Sequence, residues 1–175
     1  MPETYLEQLK RALREGWRQF FDILHPDDHQ LLLDILRDVY REEAQDIVQF
    51  TQHAERLHYP QFRERLRRIA AEEQAHLTWL RDKLLALGGD IPPVSVAPKV
   101  GKNAWEALLI DLEEEKLSYA EFLEAMHLAE GVDPELAEGL RRIRAAEQQH
   151  REEILEMLVK SDPYTLPQAP AGEHP

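Results

Sequence analysis

Two short stretches decide the fold of this chain: IAAEEQAH at residues 69–76 and AAEQQH at residues 145–150. In each of them a glutamate stands three residues before a histidine. Residues at that spacing share one face of a helix, so each stretch presents a carboxylate and an imidazole together. Both stretches lie in long segments of good helix formers with apolar residues at helical spacing. The two pairs are Glu73/His76 and Glu147/His150.

Prolines and glycines divide the surrounding sequence into helical segments. β-Branched residues are few, so the composition predicts an all-α protein. We expect five helices, at about residues 3–24, 28–57, 61–87, 104–130 and 134–160. Asp27 and Asp28 are predicted to cap the second helix, and Asp133 followed by Pro134 to begin the fifth.

The connections between these helices are uneven in length. Tight joints around Pro60 and Gly131 predict two antiparallel hairpins. Residues 88–101, with three prolines, could span about 45 Å when extended, which exceeds the roughly 40 Å of a 28-residue helix. The sequence therefore predicts a four-helix bundle with one long crossover over residues 28–160. Residues 1–27 are predicted to form an extra amphipathic helix packed on the bundle or on a partner subunit, and residues 161–175 a proline-rich tail.

Composition excludes several classes of function. The 175 residues contain no cysteine, which excludes disulfides, thiolate nucleophiles and cysteine-ligated metal clusters. The formal net charge of −13 is the wrong sign for binding nucleic acid or an anionic membrane. We recognise neither a signal peptide nor a stretch long and apolar enough to cross a membrane, so we expect a cytoplasmic protein.

The predicted inward stripe of each long helix is interrupted by ionisable residues. Two helices contribute a lone glutamate, and the other two contribute Glu-x-x-His, which is the ligand pattern of di-iron and di-manganese bundles. Two divalent cations would neutralise four carboxylates that are otherwise costly to bury. The predicted metal ligands are Glu43, Glu73, His76, Glu115, Glu147 and His150.

An internal repeat supports this set. Glu43 and Glu115 are each followed by a phenylalanine seven residues later, and then by the glutamate of a Glu-x-x-His pair about thirty residues on. Two further Glu-x-x-His pairs fall off the apolar stripes and are interpreted as solvated. Those pairs are Glu55/His58 and Glu124/His127.

Several alternatives stay open at this point. A neighbouring glutamate could replace a predicted ligand: Glu42 for Glu43, Glu72 for Glu73, and Glu113 or Glu114 for Glu115. Asp46 and Asp111 either orient the ligand histidines or are ordinary helix-edge charges. Tyr119 is either a radical or hydrogen-bonding partner of the metals or a core residue. Isolated histidines are assigned no role; these are His25, His29, His53 and His174.

Over residues 31–160 these motifs resemble the ferritin-like superfamily, and within it the rubrerythrins. The resemblance is carried by residues 43–50, 69–76, 115–122 and 145–150. It implies a di-iron centre, held by the six predicted ligands, that reduces hydrogen peroxide or dioxygen. Three features depart from the pattern. Phenylalanines stand where tyrosines are common, Leu112 and Ser118, one turn either side of Glu115, offer no additional carboxylate, and the cysteine-rich electron-transfer module is absent.

The expected function is therefore a rubrerythrin-like oxidoreductase with two iron ions, although manganese or a mixed Mn/Fe centre suits the same hard ligands. It would take electrons from an external redox donor protein. The alternatives are a ferroxidase or iron-handling protein, a di-iron oxygenase acting on an organic substrate, and a metal-free helical interaction protein. A homodimer is expected from the resemblance.

Overall fold

The computed structural model of the protein describes residues 26–130 and 133–164, without the side chains of residues 26–27 and 116–121. The described ranges form four helices and contain no strand, which confirms the predicted all-α bundle. The helices are α1 (Pro26–Arg56), α2 (Pro60–Ala86), α3 (Ala104–Glu130) and α4 (Pro134–Val159). The predicted N-terminal helix falls on residues outside the described ranges.

Local sequence explains where these helices begin and end. The side chain of Asp133 accepts hydrogen bonds from the backbone N–H groups of Glu135 and Leu136, and so caps α4 as predicted. Helix α1 begins at Pro26, earlier than predicted, because proline at the first helical position sacrifices no hydrogen bond. Asp27 and Asp28 therefore lie within the helix instead of preceding it, so the predicted helix start was two residues too late.

The bundle core consists of two apolar clusters with a polar layer between them. The first cluster joins the beginnings of α1 and α4 to the ends of α2 and α3; it includes Leu32, Leu36, Leu80, Leu84, Phe122, Leu136 and Leu140. The second cluster joins the opposite ends of the same helices; it includes Phe50, Leu57, Leu66, Ile69, Leu108, Ile154 and Met157. Each hairpin is therefore antiparallel, and the ionisable residues of all four helices meet midway along the bundle.

The crossover, residues 87–103, follows α1 from the first cluster to the second. Asp90 pairs with Arg37 at 2.5 Å. Further along, the backbone N–H of Ala97 donates to Gln45 Oε1 at 3.2 Å, and that of Lys99 donates to Gln49 Oε1 at 2.8 Å. Helix α3 consequently begins at the end of the bundle opposite to the one where α2 finishes. The predicted long crossover is confirmed.

The chain turns after α2 at Gly88 and after α4 at the start of the predicted tail. Gly88, with φ of 83°, adopts the left-handed conformation that commonly follows a helix, and the next N–H reaches back to the carbonyl of Leu84 at 2.9 Å. The predicted tail starts as an ordered turn, because the buried Ser161 donates to the Met157 carbonyl at 2.9 Å and Asn103 donates to the Pro163 carbonyl at 3.3 Å. Residues 165–175 lie outside the described ranges.

Among the described helices, none combines the length and the apolar character needed to cross a bilayer.

Candidate metal centre

The polar layer brings the six predicted ligand side chains together. Their ligand atoms form two overlapping groups, each with all its atoms within 4.8 Å of one another. The first group is Glu43, Glu73, His76 and Glu147, and the second is Glu73, Glu115, Glu147 and His150. Because Glu73 and Glu147 belong to both groups, two ions held here would share these carboxylates, and each remaining glutamate and histidine would belong to one ion.

Both histidines turn Nδ1 toward the two shared carboxylates. His76 Nδ1 lies 2.8 Å from Glu73 Oε2 and 3.0 Å from Glu147 Oε1. His150 Nδ1 lies 2.6 Å from Glu73 Oε1 and 3.6 Å from Glu147 Oε2. The two imidazole rings are roughly parallel, with centroids 6.1 Å apart. The centre therefore has two sides that are related by the same local pattern, as the sequence repeat predicts.

Glu115 provides the test of whether this centre fits a metal ion. Its side chain is 2% exposed, and neither carboxylate oxygen has a hydrogen-bond partner among the described residues. A buried carboxylate without donors is costly, since its lost hydration is not replaced. A divalent cation coordinated by those oxygens removes this cost, so the donor set fits a metal.

Four side chains of the centre have raised pKa values: Glu43, Glu115, His76 and His150. Burial raises the pKa of the Glu43 and Glu115 carboxyls, and the charges of Glu73 and Glu147 raise the pKa of both further. For the histidines burial acts in the opposite direction, but the surrounding carboxylates prevail and raise the pKa of His76 to about 12 and of His150 to about 11. The layer thus requires positive charge, as protons or as metal ions.

The neighbouring glutamates that the sequence left as alternatives lie outside both groups of ligand atoms. They are Glu42, Glu72, Glu113 and Glu114. One of them, Glu72, contacts a predicted ligand histidine. Its Oε2 lies 2.7 Å from His150 Nε2, on the side of the ring that faces away from the shared carboxylates. Asp46 is half-buried near the centre, and desolvation together with the charges of Glu73 and Glu147 raises the pKa of its carboxyl. Neither Asp46 nor Asp111 hydrogen-bonds to a ligand histidine in the part of the chain that is described.

Asp111 instead pairs with His53, a residue to which the sequence assigned no role. His53 Nδ1 lies 2.7 Å from Asp111 Oδ1, and His53 Nε2 donates to the Lys99 carbonyl at 2.8 Å. The side chain of Gln49 bonds both the N–H and the carbonyl of Lys99. We call this arrangement the His53–Asp111 pair. It joins α1, α3 and the crossover. In the sequence, the only signal for a role of Asp111 is its position one turn before Glu115.

The other candidate residues of the sequence lie away from the centre. Both off-stripe pairs are exposed, as predicted: Glu55/His58 and Glu124/His127. The buried His29 contacts the Leu87 carbonyl through Nε2 at 3.2 Å, at the end of α2. The side chain of Tyr119 and the residues His25 and His174 lie outside what the structure describes.

This chain is similar in sequence and in fold to ferritin-like proteins. The chain matches the family model for the ferritin-like domain over residues 34–162. A ferritin-like, diiron-carboxylate protein from Bacillus anthracis str. Ames superposes with a TM-score of 0.68 at 22% identity, covering 75% of this chain and 98% of that one. A dodecameric thioferritin, the bacterioferritin-related protein of Bacteroides fragilis, gives 0.69 at 17% identity, covering 75% of this chain and 86% of that one. No curated protein sequence matches significantly. This chain belongs to the ferritin-like domain family.

Proposed function

We propose that this protein is a di-iron oxidoreductase that reduces hydrogen peroxide or dioxygen. The observation that carries the proposal is the pair of overlapping ligand groups that share Glu73 and Glu147. Such a site suits two ions held close together, which is the arrangement required for a two-electron reaction at one place. The similar fold of a diiron-carboxylate protein supports iron as the metal.

The donor types agree with iron. Carboxylate oxygens with one imidazole for each ion are hard to borderline ligands, and they suit iron or manganese better than soft metals such as Cu(I). Four carboxylates also balance the four charges of two divalent ions.

Bound ferrous ions would supply two electrons, which with two protons reduce one hydrogen peroxide to two waters. The side chains contribute by holding and insulating the site. Glu73 and Glu147 span the two ligand groups, and the terminal Glu43 and Glu115 each complete one of them. The first and second apolar clusters close the polar layer from both ends of the bundle, which limits access of bulk water to the reaction.

Return of the metals to the ferrous state needs a reductant. This sequence contains no cysteine and therefore no place for an iron–sulfur or rubredoxin-type centre. We propose that a separate redox protein donates the electrons.

The test begins with metal-free protein loaded with ferrous iron under anaerobic conditions. We expect two iron ions per chain by elemental analysis. Rapid mixing with hydrogen peroxide is expected to produce ferric absorption within seconds. Replacing the shared ligand in Glu73→Ala should abolish both the two-ion stoichiometry and the fast absorbance change, because both ligand groups lose a carboxylate.

A matched control is Glu55→Ala, because Glu55 belongs to a Glu-x-x-His pair on an exposed face. This variant is expected to bind and react like the parent protein. The proposal is wrong if the parent protein binds no iron, or if peroxide leaves its ferrous form unchanged.

Iron oxidation for storage is the second candidate, and the fold similarity to a dodecameric thioferritin favours it. A storage protein would continue to oxidise iron far beyond two ions per chain and would form a closed multimer. Light scattering of the iron-loaded protein distinguishes the two functions. We expect a dimer for the oxidoreductase, whereas a multi-subunit particle with retained mineral would favour storage.

A further inference from the structure

The two ligand histidines differ on the side that faces away from the shared carboxylates. His150 is 1% exposed, and its Nε2 lies 2.7 Å from Glu72 Oε2. His76 is 14% exposed at its side chain, and its contacts with Glu43, Glu73 and Glu147 all involve Nδ1. Among the described residues, no partner lies at His76 Nε2. The ring of His150 is therefore held from both sides, and that of His76 from one side.

Glu72 is itself held in place by a chain of contacts across the α2–α4 interface. Arg68 donates to Glu72 Oε1 at 2.9 Å, and its other terminal nitrogen pairs with Glu153 of α4. Glu72 thus uses one oxygen for Arg68 and the other for His150. Because both oxygens are engaged, the carboxylate has a defined orientation even though the side chain is 41% exposed.

A carboxylate at Nε2 has a specific chemical effect on a metal-binding imidazole. It holds the Nε2 proton and leaves the Nδ1 lone pair available to the ion. It also fixes the rotation of the ring and makes it a stronger ligand, and loss of such a partner commonly weakens metal affinity by about 10-fold to 100-fold. Within the described structure, only the His150 side of the centre has this support.

We propose that Glu72 is a positioning residue for His150, so that the site formed with Glu115 and His150 fills first and the site formed with Glu43 and His76 fills second. This inference rests on the proposed two-metal function. It gives separate tasks to the adjacent glutamates of residues 69–76: Glu73 contacts the metals, and Glu72 orients a histidine of another helix.

Cobalt(II) alone is the probe, because its visible absorption reports ligand number and geometry without any catalytic turnover. Metal-free protein is titrated with Co²⁺ and followed by absorption and calorimetry. The parent protein should show two steps of unequal affinity. In Glu72→Ala the tighter step should weaken by about 10-fold to 100-fold while the second step stays unchanged. Glu72→Gln, which can still accept the Nε2 proton, should give an intermediate affinity.

The matched control is Glu156→Ala. Glu156 pairs with Arg65 at 2.7 Å across the same two helices without contacting His150, so its loss should leave both steps unchanged. Circular dichroism of each variant checks that the bundle is intact.

Three results would overturn the inference while the proposed function stands. These are equal affinity at the two sites of the parent protein, unchanged binding in Glu72→Ala, and equal weakening by Glu72→Ala and Glu156→Ala. Failure of the parent protein to bind cobalt at all would overturn the proposed function as well.

Discussion

The metal centre and the His53–Asp111 pair use the same residue types in the same bundle, yet they have opposite properties. The metal centre places four glutamates around two histidines, so acceptors outnumber donors. In the His53–Asp111 pair one carboxylate meets one imidazole, and the second ring nitrogen donates to a backbone carbonyl. In the metal centre both oxygens of Glu115 lack a donor, whereas Asp111 accepts a hydrogen bond at Oδ1 and lacks a donor only at Oδ2.

This difference indicates which buried acidic residues are functional. A buried carboxylate that finds its own hydrogen-bond donor contributes to the fold, as Asp111 does in joining α1 to α3. A buried carboxylate without donors, such as Glu115, weakens the metal-free fold and marks a candidate binding site. Hydrogen-bond balance therefore separates two regions that residue identity and burial alone leave alike.

The largest effect is expected from breaking the His53–Asp111 pair. Asp111→Ala leaves His53 buried without its charged partner, and loss of one member of a buried pair typically costs about 3–5 kcal/mol of unfolding free energy. Urea denaturation of the metal-free protein measures this loss. Glu113→Ala, an exposed glutamate two positions along the same helix, is the control and should change little. A variant as stable as the parent protein would show that the pair does not stabilise the fold.

A smaller effect, of opposite sign, is expected in the metal centre. In the metal-free protein at pH 8, Glu115 either keeps a desolvated charge or holds a proton that the unfolded chain releases, and both are unfavourable. Glu115→Gln removes this cost and should raise the unfolding free energy by about 1–3 kcal/mol while weakening metal binding. Thermal melts with and without Co²⁺ measure the two effects. Lower stability of this variant without metal would contradict the contrast with Asp111.

The smallest effect is a pH dependence of the His53–Asp111 pair. Burial lowers the pKa of the His53 imidazole, but its bond to Asp111, the charge of that residue, the Lys99 carbonyl and the charge of Glu114 together raise the pKa above its usual range. For the Asp111 carboxyl, burial raises the pKa by more than the hydrogen bond and the charge of His53 lower it. The folded state therefore binds protons more tightly than the unfolded state at both positions.

The stabilising contribution of His53 is then fully present below about pH 6.5, the usual pKa of an unfolded histidine. It declines by up to about 1.4 kcal/mol per pH unit as the pH rises toward the higher folded value. Denaturation curves of the parent protein and His53→Gln at several pH values isolate this contribution as the difference between the two proteins. A difference that grows with pH would contradict the predicted sign.

Much of the bundle was predictable because its signals are local. The helix ends near Pro60, Asn103 and Pro134 follow from proline and capping chemistry, and the crossover follows from the reach of an extended chain. The meeting of these six side chains in one layer was also predictable as a pattern, since the apolar stripe of each helix has only one phase that buries it. Helix phase favoured Glu73 over Glu72, and the structure places Glu73 in both ligand groups.

Pairing between distant side chains was not predictable. The sequence left Asp111 as a possible partner of a ligand histidine, because its spacing from Glu115 is compatible with that role. Its partner is His53, 58 positions away, and the pairing depends on how α1 and α3 pack and on where the crossover carries Lys99. In the same way, the contact of Glu72 with His150 exists only because α2 and α4 are neighbours.

The sequence by itself determined the four helices, their hairpin order and the inward faces that carry the carboxylates and histidines. Those properties follow from the helical period and from turn chemistry, which act over a few residues. Only the tertiary structure decided which buried acids find hydrogen-bond donors and which do not, and so which of them are left for metal ions. The physical reason is that a donor for a buried carboxylate can come from any helix packed against it, and helix packing is a property of the whole chain.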